Sequence, residues 1–245
     1  MNTLTMVFST RQIAVTIAFG LALVFELSCA LLILKRDSKN YSNRFTSVAY
    51  ICLSVALGLS VSYVIITDET IVTLLQRLAN SLNLITAIFL FLAAMYISEG
   101  YESFKSYRMV IVVFDLLISL FLLITPGITV FSVNELPGSE QLIKWDALFF
   151  LEATIPLYFT LALACYYYLK VRTDLSDDSP VKRVCNLILI GTVLLGVSHF
   201  LLVLPLFIRS LIIDYNSIPL TVVGAIGVLV SSLLITQGYR TKITI

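Results

Sequence analysis

Seven apolar stretches of membrane-spanning length divide the chain, and they constrain its fold more than any other feature. A helix needs roughly 20 mainly apolar residues to cross a bilayer core of about 30 Å. Seven stretches reach that length: residues 12–34, 45–67, 71–98, 109–131, 145–169, 184–208 and 213–239. Because only short polar segments join them, the sequence predicts one all-α domain over residues 1–245, a polytopic seven-helix bundle in a lipid bilayer.

The composition fits lipid-facing helices better than a soluble core. Apolar residues make up 59% of the chain and charged residues 13%, whereas soluble domains have roughly 45–50% and about 25%. The net charge of +1 provides no basic field for nucleic acid. The first stretch is too long for the roughly 7–15-residue apolar region of a signal peptide, and we interpret it as a span.

Lysine and arginine are sorted between the two sides of the predicted bundle, and short cytoplasmic loops retain these residues. The side with few of them holds only Arg11, Arg77, Lys144 and Arg209. The other side holds Lys35, Arg36, Lys39, Arg44, Lys105, Arg108, Lys170, Arg172, Lys182, Arg183, Arg240 and Lys242. This asymmetry predicts an N-terminus outside and a C-terminus in the cytoplasm, for a protein of the cytoplasmic membrane.

Short motifs recur between the first three and the last three spans at offsets of 135 to 139 residues. Parallel repeats of this kind occur in transporters, with the fourth span as a linker. A 3+1+3 internal repeat is one interpretation, and chance recurrence of common helix residues is the other. The paired motifs are Lys35-Arg36 with Lys170-Val171-Arg172, Gly58-Leu59-Ser60 with Gly196-Val197-Ser198, and Glu99-Gly100-Tyr101 with Gln237-Gly238-Tyr239.

Five polar side chains share the outer half of the predicted bundle, on spans three, five and six. They are Arg77, Asn80, Asn83, Glu152 and His199. Ionisable groups are costly inside a bilayer, so they mark function or a buried partner. A cation, a carboxylate, two amides and an imidazole at similar depth are what a pocket for a small polar ligand would show. The alternative is an Arg77–Glu152 salt bridge with amide hydrogen bonds that only hold helices together.

Two further carboxyl groups lie within predicted spans. Glu26 falls near mid-membrane on the first span, and Asp115 falls about 10 Å from the inner end of the fourth. Each is a candidate proton-relay carboxylate. The structural interpretation, in which each is a buried acid hydrogen-bonded to Ser28, Ser54 or Ser119, is favoured for either residue alone.

Proline and glycine mark the fifth, sixth and seventh spans. Pro156 and Pro205 each remove a backbone hydrogen bond, so we expect kinks that could serve as hinges. Small residues let membrane helices approach closely. We expect such approach at Gly191, Gly196, Gly224 and Gly227.

Several kinds of chemistry lack their sequence signature. The chain has one histidine, which excludes a zinc site built from several imidazoles. It contains no Gly-rich phosphate loop, no GxSxG elbow and no CxxC motif. Residues 213–239 contain no lysine that could form a retinal Schiff base. The sequence therefore predicts no metal, no cofactor and no enzymatic activity.

Three segments resemble the seven-transmembrane N-terminal sensor region of bacterial and archaeal histidine kinases. They are Leu75 to Asn80 with Phe91 to Tyr96 in the third span, Asp214 to Leu220 at the last span's entry, and Gln237 to Ile245 at its exit. That family continues into a kinase, whereas this chain ends five residues after Arg240. The resemblance implies a stand-alone sensor or the membrane part of a larger signalling protein, and it transfers no ligand-binding residues.

The 3+1+3 layout also resembles small sugar transporters of the SWEET type. Those transporters carry prolines in their first, second, fifth and sixth spans, and the first two spans here have none. We therefore expect first a sensor or receptor that binds a small or lipidic ligand and signals to a cytoplasmic partner near Arg172, Lys182 and Arg240. The alternatives are a transporter with Glu26 and Asp115 as coupling carboxylates, and a structural membrane subunit. The sequence does not determine the oligomeric state, and it is compatible with a homo-oligomer.

The predicted orientation has a direct test in a chain whose four cysteines are replaced by serine. A membrane-impermeant maleimide should label Ser139→Cys on intact cells and should label Thr241→Cys only after permeabilisation, because the positive side stays inside. Labelling of Thr241→Cys on intact cells would overturn the orientation.

Overall fold

A computed structural model describes residues 10–62, 66, 68–105, 107–132, 141–176, 179–211 and 218–240. Within some helix and strand ends it describes the backbone only. The predicted start of the last span, the family-like segment Asp214 to Ser217 and the tail 241–245 lie outside the described residues. The helices are α1 (Thr10–Arg36), α2 (Tyr41–Ser62), α3 (Glu69–Glu99), α4 (Met109–Phe121), α5 (Ala147–Thr173), α6 (Pro180–Leu211) and α7 (Ile218–Arg240).

All helices except α4 are long and apolar enough to cross a membrane. Exposed apolar side chains such as Leu21, Leu31 and Ile155 cover the outer faces of these helices. In a bilayer these faces can meet lipid only because a helix satisfies its backbone hydrogen bonds internally. Local caps set some of the helix starts, since Asp68 accepts from Ile71 N (2.9 Å) and Asp146 accepts from Phe149 N (2.8 Å).

The predicted fourth span, residues 109–131, differs from the structure. Helix α4 has 13 residues, and a tight turn that ends with Thr125 N bonded to Phe121 O extends its path. Pro126 and Gly127 then stop the helix, because proline disfavours helical geometry before it and Gly127 has φ +114°. The apolar residues that follow form a strand instead.

That strand belongs to a two-stranded antiparallel sheet, which the all-α prediction missed. Strand β1 (Ile128–Ser132) pairs with β2 (Gln141–Trp145), with Ile128 opposite Trp145. The hairpin is fixed to the start of α5, where Asp146 N donates to Gly127 O (2.9 Å).

Six helices form a closed ring in the order α1, α2, α3, α5, α6, α7, with α7 packed back against α1. Helix α4 packs outside the ring against α3. We call the end of the bundle that carries Arg36, Arg172 and Arg240 the basic end, and the other the opposite end. Exposed apolar residues on α4 include Val110, Phe114 and Leu117.

Two ion pairs and one hydrogen bond fix the direction of α4. Lys170 Nζ lies 3.0 Å from Glu99 Oε1, so α3 and α5 both end at the basic end and run parallel. Arg108, just before α4, pairs with Glu99. Past the end of α4, Leu123 O accepts from Arg77 Nη1 (3.4 Å) near the start of α3. The short helix and its terminal turn therefore return from the basic end towards the opposite end alongside α3.

One interhelical contact recurs in the two halves of the ring. A Cβ added to Gly58 on α2 would lie 2.9 Å from Leu23 Cδ1 on α1. A Cβ added to Gly196 on α6 would lie 3.5 Å from Leu161 Cδ1 on α5. Gly196 follows Gly58 by 138 residues and Leu161 follows Leu23 by 138 residues. The two contacts thus occupy corresponding places in the two three-helix segments.

Glycines bring α6 and α7 into backbone contact, as expected for three of the four predicted positions. A Cβ on Gly191 would meet Ser231 O at 2.8 Å, and one on Gly224 would meet Ser198 O at 3.0 Å. Gly227 faces the side chain of Ser198. Gly196 is the exception, since its nearest neighbour is Leu161 on α5.

We expect Gly191→Ala to destabilise the protein by about 1–3 kcal/mol, because the new methyl group would force α6 away from the α7 backbone. Gly20→Ala on α1 is the matched control, since nothing lies within 4 Å of its added Cβ. The control should be neutral or slightly stabilising, because alanine favours helix more than glycine. Unfolding in detergent measures both, and equal stability of the two variants would contradict the close α6–α7 packing.

Candidate functional site

A cavity of about 90 Å³ lies inside the ring, in the half of the bundle near the opposite end. All six ring helices and Trp145 contribute to its wall. A single water needs roughly 10–15 Å³ measured in this way, so the cavity has room for several waters or one small molecule. Its polar wall residues are Ser60, Gln76, Asn80, Asn83, Thr86, Trp145, His199 and Thr221.

The structure brings three of the five predicted ligand residues to this cavity. Asn80 and Asn83 from α3 and His199 from α6 line it. Arg77 and Glu152 are not among its lining residues. In the described part of the chain, no ion pair joins Arg77 to Glu152. The salt bridge offered as the structural alternative is therefore not formed.

Helix geometry explains why Arg77 faces elsewhere. The face of α3 that lines the cavity carries Gln76, Asn80, Asn83 and Ala87. Their i, i+4, i+7, i+11 spacing is that of one helix face. Arg77 lies one residue after Gln76 and is rotated by about 100° from it. Its guanidinium therefore turns towards α4 and donates to Leu123 O (3.4 Å).

Two ring nitrogens in the cavity wall lack a hydrogen-bond partner among the described residues. His199 Nδ1 lies 3.0 Å from the Tyr158 hydroxyl, whereas His199 Nε2 is buried without a partner. Trp145 is 1% exposed, and its Nε1 is buried without a partner. An unmade bond at a buried polar atom costs about 1–3 kcal/mol. Such atoms are expected where a ligand or water completes the site.

Sequence reasoning missed Gln76 and Trp145 as wall residues. Gln76 is four residues before Asn80, and its backbone carbonyl accepts a hydrogen bond from Asn80 Nδ2 (2.8 Å). That spacing places both on one helix face and could have identified Gln76. Trp145 comes from the hairpin, and no pattern in the sequence predicted that the hairpin would place an indole against the ring.

The two prolines occupy different positions relative to the cavity. Pro205 on α6 lines it, whereas Pro156 on α5 does not. Both lie inside continuous helices. Their role as hinges stays a prediction.

Glu26 lies deeper in the bundle, between α1, α2 and α7. Its side chain is fully buried, and Oε1 accepts from Ser232 Oγ at 2.7 Å. The Tyr50 hydroxyl donates to Ser232 O (3.3 Å). The predicted partners are wrong, because Ser28 and Ser54 donate to backbone carbonyls instead. Glu26 Oε2 has no partner among the described residues.

Asp115 joins α4 to the ring. It is buried and accepts a hydrogen bond from Thr160 on α5. Ser119, the predicted partner, donates to Leu116 O (2.8 Å), and its own carbonyl accepts from Ser81 Oγ (2.7 Å). These bonds hold an otherwise peripheral helix against α3 and α5, which supports a structural role for Asp115.

Aromatic residues fill the bundle between the cavity and the basic end. Tyr50 and Tyr168 are among the largest fully buried side chains. The Tyr239 hydroxyl lies 3.0 Å from Ser42 Oγ and 3.3 Å from the Tyr168 hydroxyl. The cavity is therefore separated from the basic end by packed, hydrogen-bonded tyrosines.

Comparison with known proteins adds no family to this picture. No protein-family model matches the chain, and no curated protein matches it.

Proposed function

We propose that the protein is a membrane sensor that binds a small ligand in the ring cavity and signals to a cytoplasmic partner at the basic end. The cavity wall carries this proposal. Amides from Asn80 and Asn83 line this cavity together with two ring nitrogens that have no hydrogen-bond partner in the part of the chain that the structure describes. Concave sites with a few convergent polar groups on an apolar wall are typical of small-molecule binding.

The packed tyrosines support a sensor in preference to a channel. Tyr50 and Tyr168 are fully buried and lie between the residues that line the cavity and the basic end. Helices α6 and α7 line the cavity and also reach the basic end, at Lys182 and Arg240. Movement of these helices would change the surface offered to a partner. The resemblance to histidine-kinase sensor regions is compatible with this arrangement.

We further propose seven membrane crossings, with the N-terminus outside and the basic end in the cytoplasm. Six helices have the required length. The parallel course of α3 and α5 requires the chain between them to return across the bundle, and α4 with its terminal turn takes that course. The 13 residues of α4 rise about 20 Å, and the turn to Thr125 extends this path towards the thickness of a hydrocarbon core. The distribution of Lys and Arg supports the orientation.

A transporter is the second candidate, and the recurrent Gly58–Leu23 and Gly196–Leu161 contacts favour it. Transporters built from two parallel repeats bind substrate where the repeats meet. In the ring, the cavity lies between the segments α1 to α3 and α5 to α7, where such repeats would meet. Glu26, whose Oε2 has no partner among the described residues, would be the coupling carboxylate of such a carrier.

Variants of the cavity wall test the sensor proposal. A thermal-unfolding screen of small metabolites should find a ligand that raises the melting temperature of the purified protein, because binding to the folded state stabilises it. We expect His199→Phe and Asn83→Leu to abolish that rise. Arg77→Ala is the control outside the cavity and should keep it.

Two outcomes would count against the sensor. If the ligand stabilises His199→Phe and Asn83→Leu as strongly as the wild type, the cavity is not its site. If proteoliposomes accumulate the ligand and Glu26→Gln abolishes the accumulation, the protein is the transporter.

A further inference from the structure

The cavity wall carries no full charge among the described residues that line it. Its lining side chains are apolar, hydroxyl, amide, indole and imidazole groups, and none is Asp, Glu, Lys or Arg. Of the charged residues that the sequence placed at this depth, Arg77 is bonded to the α4 turn and Glu152 lies outside the lining. Glu26 is not a lining residue, and its Oε1 accepts a hydrogen bond from Ser232 Oγ.

An uncharged wall selects against charged ligands. Moving an ion from water into an apolar enclosure without a counter-charge costs far more than moving a neutral polar group that finds hydrogen bonds. A carboxylate or an ammonium group would meet no opposite charge on the described wall. A neutral amide or hydroxyl would meet the amides of Gln76, Asn80 and Asn83, each of which can both donate and accept.

The ring nitrogens define the complementary groups more closely. Trp145 Nε1 can only donate, so it requires an acceptor oxygen or nitrogen. His199 Nε2 donates or accepts according to the tautomer that its Nδ1–Tyr158 bond selects. Leucines on α2, α5 and α6, Leu53, Leu161, Leu195 and Leu202 among them, make much of the wall apolar and fit an apolar body.

We propose that the cavity takes a neutral amphipathic small molecule, with a hydrogen-bonding head such as a primary amide and an apolar body, and rejects charged molecules of the same shape. This inference rests on the proposed ligand-binding function and names the class of its ligand. It narrows the sequence-based expectation of a small polar or lipidic ligand, whose predicted site included Arg77 and Glu152.

Three probes of nearly equal shape test the inference: benzamide, benzoate and benzylammonium. Trp145 is the single tryptophan of the chain, so its fluorescence reports on the cavity alone. In lipid nanodiscs near neutral pH, benzamide should change the Trp145 emission saturably and raise the melting temperature. Benzoate and benzylammonium should require concentrations about tenfold higher or more, because each lacks a counter-charge in the wall.

A matched pair of variants locates the response. Asn83→Leu should weaken the benzamide response, because it removes an amide from the cavity wall. Asn43→Leu removes a buried amide that donates to Asp37 O (3.1 Å) on the connection between α1 and α2, outside the cavity lining, and should leave the response unchanged.

The outcomes separate the two proposals. If either charged probe changes Trp145 emission at the same concentration as benzamide, the neutral-ligand inference fails and the cavity remains a binding site. If no probe of any charge changes the emission or the melting temperature, the proposed binding function fails together with the inference. The charge comparison uses the wild-type chain and does not depend on the folding of a variant.

Discussion

Backbone hydrogen bonding in lipid is the constraint on which the rest of this structure depends. Helices form these backbone hydrogen bonds along their length. The chain can therefore leave the helical conformation only where other groups supply the hydrogen bonds instead. At Gly127 that group is Asp146, whose N–H bonds the Gly127 carbonyl and whose side chain caps α5. The hairpin that results sets Trp145 against the ring. One local break in helical geometry therefore supplies a wall of the candidate site.

The length of the apolar stretches predicted most of the fold, and helix-breaking residues explain where that prediction was wrong. The ranges predicted for the long helices agree with the structure to within a few residues at most ends. Residues 128–131 are as apolar as a span, and for that reason they were assigned to the fourth helix. The Thr125-Pro126-Gly127 sequence was the signal for a stop, since it combines a proline with a residue that tolerates positive φ.

Depth in the membrane could be read from the sequence, whereas rotation about each helix axis and helix order could not. The sequence placed Asn80, Asn83 and His199 at similar depth, and the structure brings these residues of two helices to one cavity. Arg77 lies one position after the wall residue Gln76 on α3, and this rotation turns it to α4. Helix order decided the partner of Glu26, because Ser232 is 206 residues away on a helix that closes the ring. Such pairings depend on the tertiary structure, and no local sequence pattern predicts them.

The same packing that encloses the cavity determines how a ligand could act at a distance. Helices α6 and α7 meet at Gly191 and Gly224 with almost no side chain between their backbones, so they are expected to move as one unit. Both helices line the cavity, and both extend to the basic end. The other ring helices meet through side chains, which can change rotamer and absorb a displacement. If a ligand displaces His199, that displacement would therefore pass preferentially through the α6–α7 unit, which ends at Arg240.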